Sequence, residues 1–217
     1  MKRRMTVVVL GVLCMLWQST VVAQSGYSEA FESRVRTVLE EMKAPGSNGT
    51  YHSIPDEDGR ILRLAIRLTQ AKRALEVGTS TGYSALWMGL GLKETGGTLT
   101  TIEIDKERHA LAQDNIEKSG LDDIITAVLG DAGDVIPDLE GPFDVAFVDL
   151  GNGELSRKFL DMIMPKLRSG GVVMFHAVRG NRGGMPAFMD YLAEHPQLDT
   201  FVLPITRAGI SLSYKVR

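Results

Sequence analysis

The sequence contains a single cysteine among its 217 residues, and Lys plus Arg (24) do not exceed Asp plus Glu (27). Cys14 lies in an apolar stretch near the N-terminus, so a chain cleaved beyond that stretch has no cysteine and can form no disulfide. The net charge is −3, and the basic residues form no continuous stripe. This composition argues against nucleic acid as a partner. No internal repeat or low-complexity tract interrupts the chain, whose length suits one domain.

The first residues differ from the rest of the sequence. Three basic residues at positions 2–4 precede an apolar run over 6–17, and Val21 and Ala23 provide small side chains at the −3 and −1 positions of a cleavage site. This order is typical of a secretory signal peptide. We therefore predict a signal peptide over 1–23, cleavage after Ala23, and an exported domain over 24–217, periplasmic or secreted, with no stable membrane span.

An uncleaved membrane anchor is the alternative, although the run is shorter than the roughly 20 residues of a span. A cytoplasmic chain that starts at an internal methionine is a third interpretation.

The remaining sequence alternates between short apolar runs and stretches with helical periodicity. Two helices, over 28–42 and about 56–68, precede the first strand. Strands are then predicted over 74–77, 99–104, 124–129, 145–148 and 172–175, with helices over 84–92, 106–119 and 155–167 between them. Such alternation indicates βαβ units and a parallel sheet. The last two runs, 200–204 and 210–216, are joined by only five residues, which is enough for an antiparallel hairpin but not for a crossover. The sequence predicts a doubly wound α/β fold with a mostly parallel, seven-stranded sheet.

A glycine-containing loop follows the first predicted strand. The segment 75–84 runs from a strand through Gly78-Thr79-Ser80-Thr81-Gly82 into a helix. Glycine allows the backbone to turn sharply there and to approach a ligand closely. The spacing Gly-x-x-x-Gly does not favour a dinucleotide, whose fingerprint is Gly-x-Gly-x-x-Gly. On these residues alone, a plain strand-to-helix turn remains an alternative.

Two further signals follow the second and third predicted strands. Glu103 ends the second strand, where a carboxylate can accept both hydroxyls of a ribose. Gly130-Asp131-Ala132 follows the third strand, where the edge of an adenine would lie. Because ligands of such sheets collect beyond the carboxyl ends of the strands, the three signals together predict a nucleoside site.

The same glycine loop allows a different interpretation. Gly78-x-Ser80-x-Gly82 matches the nucleophile elbow of α/β-hydrolases, and Asp149 and His176 follow in the chain order of their triad. A hydrolase elbow, however, follows a central strand with several strands before it. Here only helices and a loop precede the first strand, so a secreted Ser-His-Asp hydrolase is the weaker hypothesis.

The segments 53–60 and 71–84 resemble class I S-adenosylmethionine-dependent O-methyltransferases related to catechol and caffeoyl-CoA methyltransferases, especially their small bacterial members. The resemblance runs from about Arg34 to Arg217 and implies a Rossmann-like fold with S-adenosylmethionine as cofactor. The positions that it assigns to the cofactor are Ser53, Ile54, Glu76, Gly78, Thr79, Gly82, Ser84, Glu103, Asp131, Ala132 and Asp149.

The catalytic positions depart from that family. Many members bind a divalent cation with an Asp after the fourth strand and an Asp-Asn pair after the fifth. Asp149 matches the first position, but the later pair is His176-Ala177, and Asn152 stands where members have a Lys. Since Mg²⁺ or Ca²⁺ takes about six oxygen ligands, we predict no metal site. His176 is then the candidate general base, with Asp149 as its catalytic partner; a structural histidine at a strand end is the alternative.

The sequence thus predicts a methyltransferase that acts on a hydroxyl of a small molecule, and it is compatible with a homodimer. The second hypothesis is an exported protein that binds S-adenosylmethionine or a related nucleoside and transfers nothing. The replacement of the expected Lys and Asn by Asn152 and Ala177 favours this alternative.

Overall fold

The computed structural model describes residues 29–44 and 54–216. Seven strands form one sheet in the order β3-β2-β1-β4-β5-β7-β6. Neighbours among β1 to β5 pair in parallel, whereas β7 is antiparallel to both β5 and β6. The predicted parallel sheet and its C-terminal hairpin are therefore confirmed. The strands are β1 (Arg73–Val77), β2 (Thr98–Glu103), β3 (Ile125–Leu129), β4 (Phe143–Val148), β5 (Leu167–His176), β6 (Leu198–Leu203) and β7 (Ile210–Lys215).

Helices cover both faces of this sheet. One apolar cluster joins the first helices to one face, and a second joins the later helices to the other face. The helices are α1 (29–43), α2 (Asp56–Thr69), α3 (Tyr83–Thr95), α4 (Lys106–Ser119), α5 (Ala132–Asp138), α6 (Gly153–Ile163) and α7 (Met185–Glu194). Within the described ranges, no helix has the length and apolar character needed to cross a membrane.

Two boundaries differ from the sequence prediction by four residues or more. The helix expected over 155–167 ends at Ile163, and β5 begins at Leu167 rather than at Val172. The polar and glycine residues Arg168 to Gly171 resemble a turn in sequence, but Leu167 already pairs with Phe143 of β4. An irregularity between Phe143 and Val145 takes up the extra length of β5.

The sheet topology places the functional strand ends together. The chain runs outward from β1 through β2 to β3, and then returns to the other side of β1 for β4 and β5. The strand order therefore reverses between β1 and β4. Ligands of doubly wound sheets bind in the crevice at such a reversal, outside the carboxyl ends of the strands.

The predicted signal peptide over 1–23 and the predicted contact residue Ser53 lie outside the described residues.

Candidate functional site

A cavity of about 690 Å³ lies along the carboxyl ends of five consecutive strands. Each strand end contributes residues to its wall, and these residues come from the motifs that the sequence singled out. They are Gly78 after β1, Glu103 at the end of β2, Asp131 and Ala132 after β3, Asp149 after β4 and His176 at the end of β5. The size and the position at the topological reversal suit a small organic ligand.

The loop after β1 forms the floor of the cavity. Gly78 has a φ of +97°, and a Cβ at this position would lie 2.7 Å from the carbonyl oxygen of Asp149. The two segments therefore approach more closely than any side chain allows. Behind the loop, Oγ1 of Thr79 lies 2.5 Å from Oγ1 of Thr101 on β2. Gly82, with a φ of +93°, forms the N-cap of α3. The loop is thus held in one shape by contacts on its far side.

Glu103 is the best-oriented polar group in the cavity wall. Its side chain is 4% exposed, and each carboxylate oxygen accepts one backbone hydrogen bond: Oε2 from Ser80 N–H at 2.7 Å and Oε1 from Asp105 N–H at 2.9 Å. The guanidinium of Arg108 lies 3.7 Å from Oε1. Each oxygen keeps further capacity to accept a hydrogen bond, because a carboxylate has about four acceptor positions. The carboxylate is therefore placed to receive two hydroxyls of a ribose.

The segment after β3 closes the other end of the cavity. Asp131 is exposed and forms the N-cap of α5, where its Oδ1 accepts a hydrogen bond of 2.6 Å from Gly133 N–H. Ala132 is buried, at 7% exposure, and begins the helix. Both residues line the cavity, so the start of α5 forms this end of its wall.

Several residues assigned to the cofactor by resemblance lie behind the wall. Glu76 is fully buried on β1, and Thr101 donates a hydrogen bond of 2.5 Å to its Oε2. Ser84 also hydrogen-bonds to Glu76, but burial outweighs these bonds and raises the pKa of the carboxyl group to about 7. Ile54 is buried in the apolar cluster that contains Tyr83. The residues lining the cavity do not include Glu76, Thr79, Gly82, Ser84 or Ile54.

At the β4–β5 end of the cavity, His176 lies between two carboxylates. Its Nδ1 is 3.0 Å from Oδ1 of Asp149, and its Nε2 is 3.1 Å from Oδ2 of Asp58 in α2. Burial opposes protonation of the ring, but the hydrogen bonds and charges of Asp149 and Asp58 prevail and raise the pKa of His176. Both ring nitrogens face carboxylates. The imidazole predicted as a general base is thus placed as a hydrogen-bond partner of two acids, and neither ring nitrogen is left free to take a proton from a substrate hydroxyl.

This arrangement does not resemble the hydrolase triad either. No other strand precedes β1 within the described ranges, and both nitrogens of His176 are engaged by carboxylates rather than by Ser80. The backbone N–H of Ser80 instead holds Glu103. The geometry therefore favours the nucleoside interpretation of the loop.

The residues near Asp149 do not fit a hard metal ion. Oδ1 of Asp149 is engaged by His176, and Ala177 offers only a methyl group. Oδ1 of Asn152 accepts a hydrogen bond of 3.1 Å from Leu155 N–H, so this side chain caps α6. Nowhere in the described part of the chain do three acidic, His or Cys side chains form a group that could hold a metal ion.

Asp58 is the site residue that the sequence analysis missed. It lies in the first turn of α2, next to Asp56 and Glu57, where acidic residues are common. Its position in the helix distinguishes it, because Asp58 shares a face with the buried Leu62 and Ala65. An acid on the apolar face of a helix is the signal that could have identified it.

Comparison with known proteins relates the chain to methyltransferases. It matches a family model described as O-methyltransferase over residues 16–183. It is 30% identical over 172 residues to a catechol O-methyltransferase of Mycobacterium tuberculosis, covering 72% of this chain and 76% of that protein. It is also 41% identical over 101 residues to a catechol O-methyltransferase of Niastella koreensis, where the match covers only 45% of either protein.

A solved structure with the same fold is the O-methyltransferase TomG from Streptomyces achromogenes, determined in complex with S-adenosylmethionine. It is 25% identical to this chain, with a TM-score of 0.67, and the match covers 85% of this chain and 89% of that structure.

Proposed function

Because the chain belongs to the O-methyltransferase family, we propose that it is an enzyme that transfers a methyl group from S-adenosylmethionine to a hydroxyl group of a small molecule. One observation carries this proposal: Gly78, Glu103, Ala132 and Asp149 follow four neighbouring strands and line a single cavity. Such a row suits an elongated nucleoside ligand that lies across the strand ends.

The residues of the cavity would hold the cofactor from three sides. Glu103 would accept hydrogen bonds from the two ribose hydroxyls, Gly78 would allow close approach of the backbone, and Ala132 would contact the adenine. S-adenosylmethionine supplies, when bound, a methyl group carried on a positively charged sulfur. The protein's task is then to hold an acceptor oxygen in line with that methyl group, which is mainly a matter of positioning.

Asp149 is the group that we propose to contact the acceptor. Its side chain is 25% exposed and lines the cavity, and only Oδ1 is hydrogen-bonded to His176. Oδ2 can therefore accept a hydrogen bond from the acceptor hydroxyl and take its proton. The two ring nitrogens of His176 remain with the carboxylates, so the imidazole orients Asp149 and balances its charge.

The first experiment identifies the compound that receives the methyl group. Two curated relatives carry the name catechol O-methyltransferase, so a catechol is the first compound for a panel of small phenols and alcohols. Purified protein would be incubated with S-adenosylmethionine and each compound, and S-adenosylhomocysteine and the methylated product would be measured by mass spectrometry. Product formation that depends on the acceptor and is lost in Asp149→Asn supports the proposal. Folded protein that binds the cofactor but makes no S-adenosylhomocysteine with any acceptor would instead indicate a binding protein.

We further propose that the chain is exported and cleaved after Ala23. The support comes from the sequence alone: a basic head, an apolar run and small residues at the cleavage positions, in that order. Cleavage would remove three basic residues and no acid, leaving 21 basic against 27 acidic residues and a net charge of −6. N-terminal sequencing of protein from native cells tests this. A chain that starts at Gln24 supports export, and one that starts at an internal methionine contradicts it.

A homodimer is also proposed, on the basis of large exposed apolar side chains on α2, β6 and β7. Leu64 and Leu68 lie one helical turn apart on α2 and are 50% and 76% exposed, and Phe201 on β6 and Tyr214 on β7 are 63% and 46% exposed. Exposed apolar side chains of this size mark an interface when they form a contiguous patch. Analytical ultracentrifugation of wild type and Leu68→Glu tests the proposal, which predicts that the variant is monomeric.

A further inference from the structure

Asp58 lies in the first turn of α2, but unlike the two acids before it, it is buried. It is 0% exposed, whereas its neighbours Asp56 and Glu57 reach solvent. Oδ2 accepts a hydrogen bond of 2.9 Å from Oγ1 of Thr206, in the turn between β6 and β7, and lies 3.1 Å from Nε2 of His176. Oδ1 has no hydrogen-bond partner among the described residues. A carboxylate buried in this way destabilises the fold unless it is paired, so its contacts with His176 and Thr206 matter.

These contacts connect α2 to the cavity. The ring of His176 bridges from Asp58 on one side to Asp149 on the other, with its Nδ1 at 3.0 Å from Oδ1 of Asp149. Asp149 and His176 line the cavity, whereas Asp58 and Thr206 lie behind it. Hydrogen bonds thus connect Asp58 through His176 to the carboxylate at the cavity wall, and Thr206 is a separate hydrogen-bond partner of Asp58.

The two carboxylates determine the orientation of the imidazole. The torsion about the bond to an imidazole ring is broad, so packing and hydrogen bonds must fix the ring plane. With a carboxylate at each nitrogen, the ring can hold only one orientation, and that orientation places the Nδ1 donor against Asp149. Removal of the acceptor at Nε2 would leave a buried ring nitrogen without a partner and free the ring to turn.

We propose that Asp58 is a positioning residue for methyl transfer, which fixes the carboxylate of Asp149 in the cavity through His176. The inference rests on the proposed function, in which Asp149 contacts the acceptor. Asp58 itself does not line the cavity, so it acts only through His176. A displacement of about 1 Å in a reacting group can lower a rate about 100-fold, so a small rotation of His176 is enough to matter.

The test compares Asp58→Asn with Thr206→Val. Asparagine keeps the shape of Asp58 but removes its charge, so Nε2 of His176 keeps at most a neutral amide oxygen as its acceptor, and a hydrogen bond to a neutral group is weaker than one to a carboxylate. Valine removes the other hydrogen bond to Asp58 and leaves the contact with His176 in place. For each folded variant, kcat and KM for the acceptor are measured, together with the Kd of S-adenosylhomocysteine by calorimetry.

We expect Asp58→Asn to lower kcat by about 10-fold to 100-fold. The cofactor Kd should stay close to that of wild type, and Thr206→Val should keep most of the activity.

A spectroscopic measurement separates positioning from a general loss of stability. The chain has four histidines, and the ¹⁵N resonances of His176 can be assigned in histidine-labelled protein by their absence in His176→Gln. We expect the Nε2 resonance of His176 to shift in Asp58→Asn and to stay in place in Thr206→Val. An unshifted resonance, or a wild-type kcat in folded Asp58→Asn, would overturn the positioning role while the enzyme's activity stands. Wild-type protein that transfers no methyl group would overturn the proposed function itself, and with it this role.

Discussion

The backbone N–H of Ser80 donates a hydrogen bond of 2.7 Å to Oε2 of Glu103, which ties the loop after β1 to the tip of β2. The second oxygen of Glu103 accepts from Asp105 N–H at 2.9 Å. The carboxylate is therefore held in place before any ligand arrives. A pre-oriented group of this kind loses little freedom when it binds, which makes Glu103 the residue whose removal should affect cofactor affinity most directly.

The first prediction follows from this geometry. Glu103→Ala should weaken binding of S-adenosylhomocysteine by roughly 1 to 3 kcal/mol, because two ribose hydroxyls would be buried without acceptors. Calorimetry with the purified protein measures the effect, and Glu117→Gln, an exposed acid at the far end of α4, is the matched control. Equal affinities for wild type and Glu103→Ala would show that the nucleoside does not lie where we place it.

The second prediction concerns the close approach at Gly78. Gly78→Ala combines a left-handed backbone with a Cβ that would lie 2.7 Å from the carbonyl oxygen of Asp149. We expect cofactor binding to be lost, since either the loop or the end of β4 must move. Gly96→Ala separates the two causes, because Gly96 also has a positive φ, of +69°, but the nearest atom to its Cβ would be at 3.6 Å. That control should lose roughly 1 to 2 kcal/mol of stability and bind normally. Similar binding by both variants would contradict the prediction.

The third prediction is a pH dependence of stability that arises from Glu76. Burial raises the pKa of this carboxyl from 4.5 to about 7, so the folded protein holds the proton more tightly than the unfolded chain. The free energy of unfolding should therefore fall as the pH rises from about 4.5 to about 7, and this group adds no further change above that range. At about 1.4 kcal/mol per pKa unit, the total effect is on the order of 3 kcal/mol.

Glu76→Gln removes this titration and keeps the shape of the side chain. Relative to wild type, the variant should gain stability between pH 5 and pH 8, as measured by urea unfolding without cofactor at both values. The two proteins share all other titrating groups, so their difference reports on Glu76 together with its charge interactions with Asp149 and Glu103. A difference that is the same at both pH values would contradict the assigned pKa shift.

The sequence was sufficient to predict the sheet and the row of residues along its edge. Apolar runs alternating with helical periodicity indicated the parallel strands, and the carboxyl ends of parallel strands necessarily meet at one edge. Gly78, Glu103, Ala132 and Asp149 could therefore be placed near one another without a structure. The short helix α5 was missed because it has only seven residues and contains Pro137, and neither feature stands out as helical periodicity.

The contacts around His176 could not be predicted in the same way. Asp58 is separated from His176 by 118 positions and from Thr206 by 148, and no local pattern relates these residues. They meet because α2 packs across β4 and β5 while the β6–β7 turn folds back beside the end of β5. The sequence therefore suggested His176 as a general base or as a structural histidine, and it could not show that Asp149 and Asp58 face its two ring nitrogens.

The last prediction concerns divalent cations, and it depends on the same contacts. Mg²⁺ takes about six oxygen ligands in near-octahedral geometry, so a site needs several free oxygens directed to one point. Here Oδ1 of Asp149 is engaged by His176, the methyl group of Ala177 offers no ligand, and the amide oxygen of Asn152 caps α6. We expect the rate of methyl transfer to be the same in EDTA and in added Mg²⁺, and calorimetry to detect no Mg²⁺ binding. Activity that disappears with EDTA and returns with Mg²⁺ would show that Asp149 leaves His176 to bind a cation. In that case, Asp58→Asn should strengthen Mg²⁺ binding, because a loosened imidazole competes less well for Asp149.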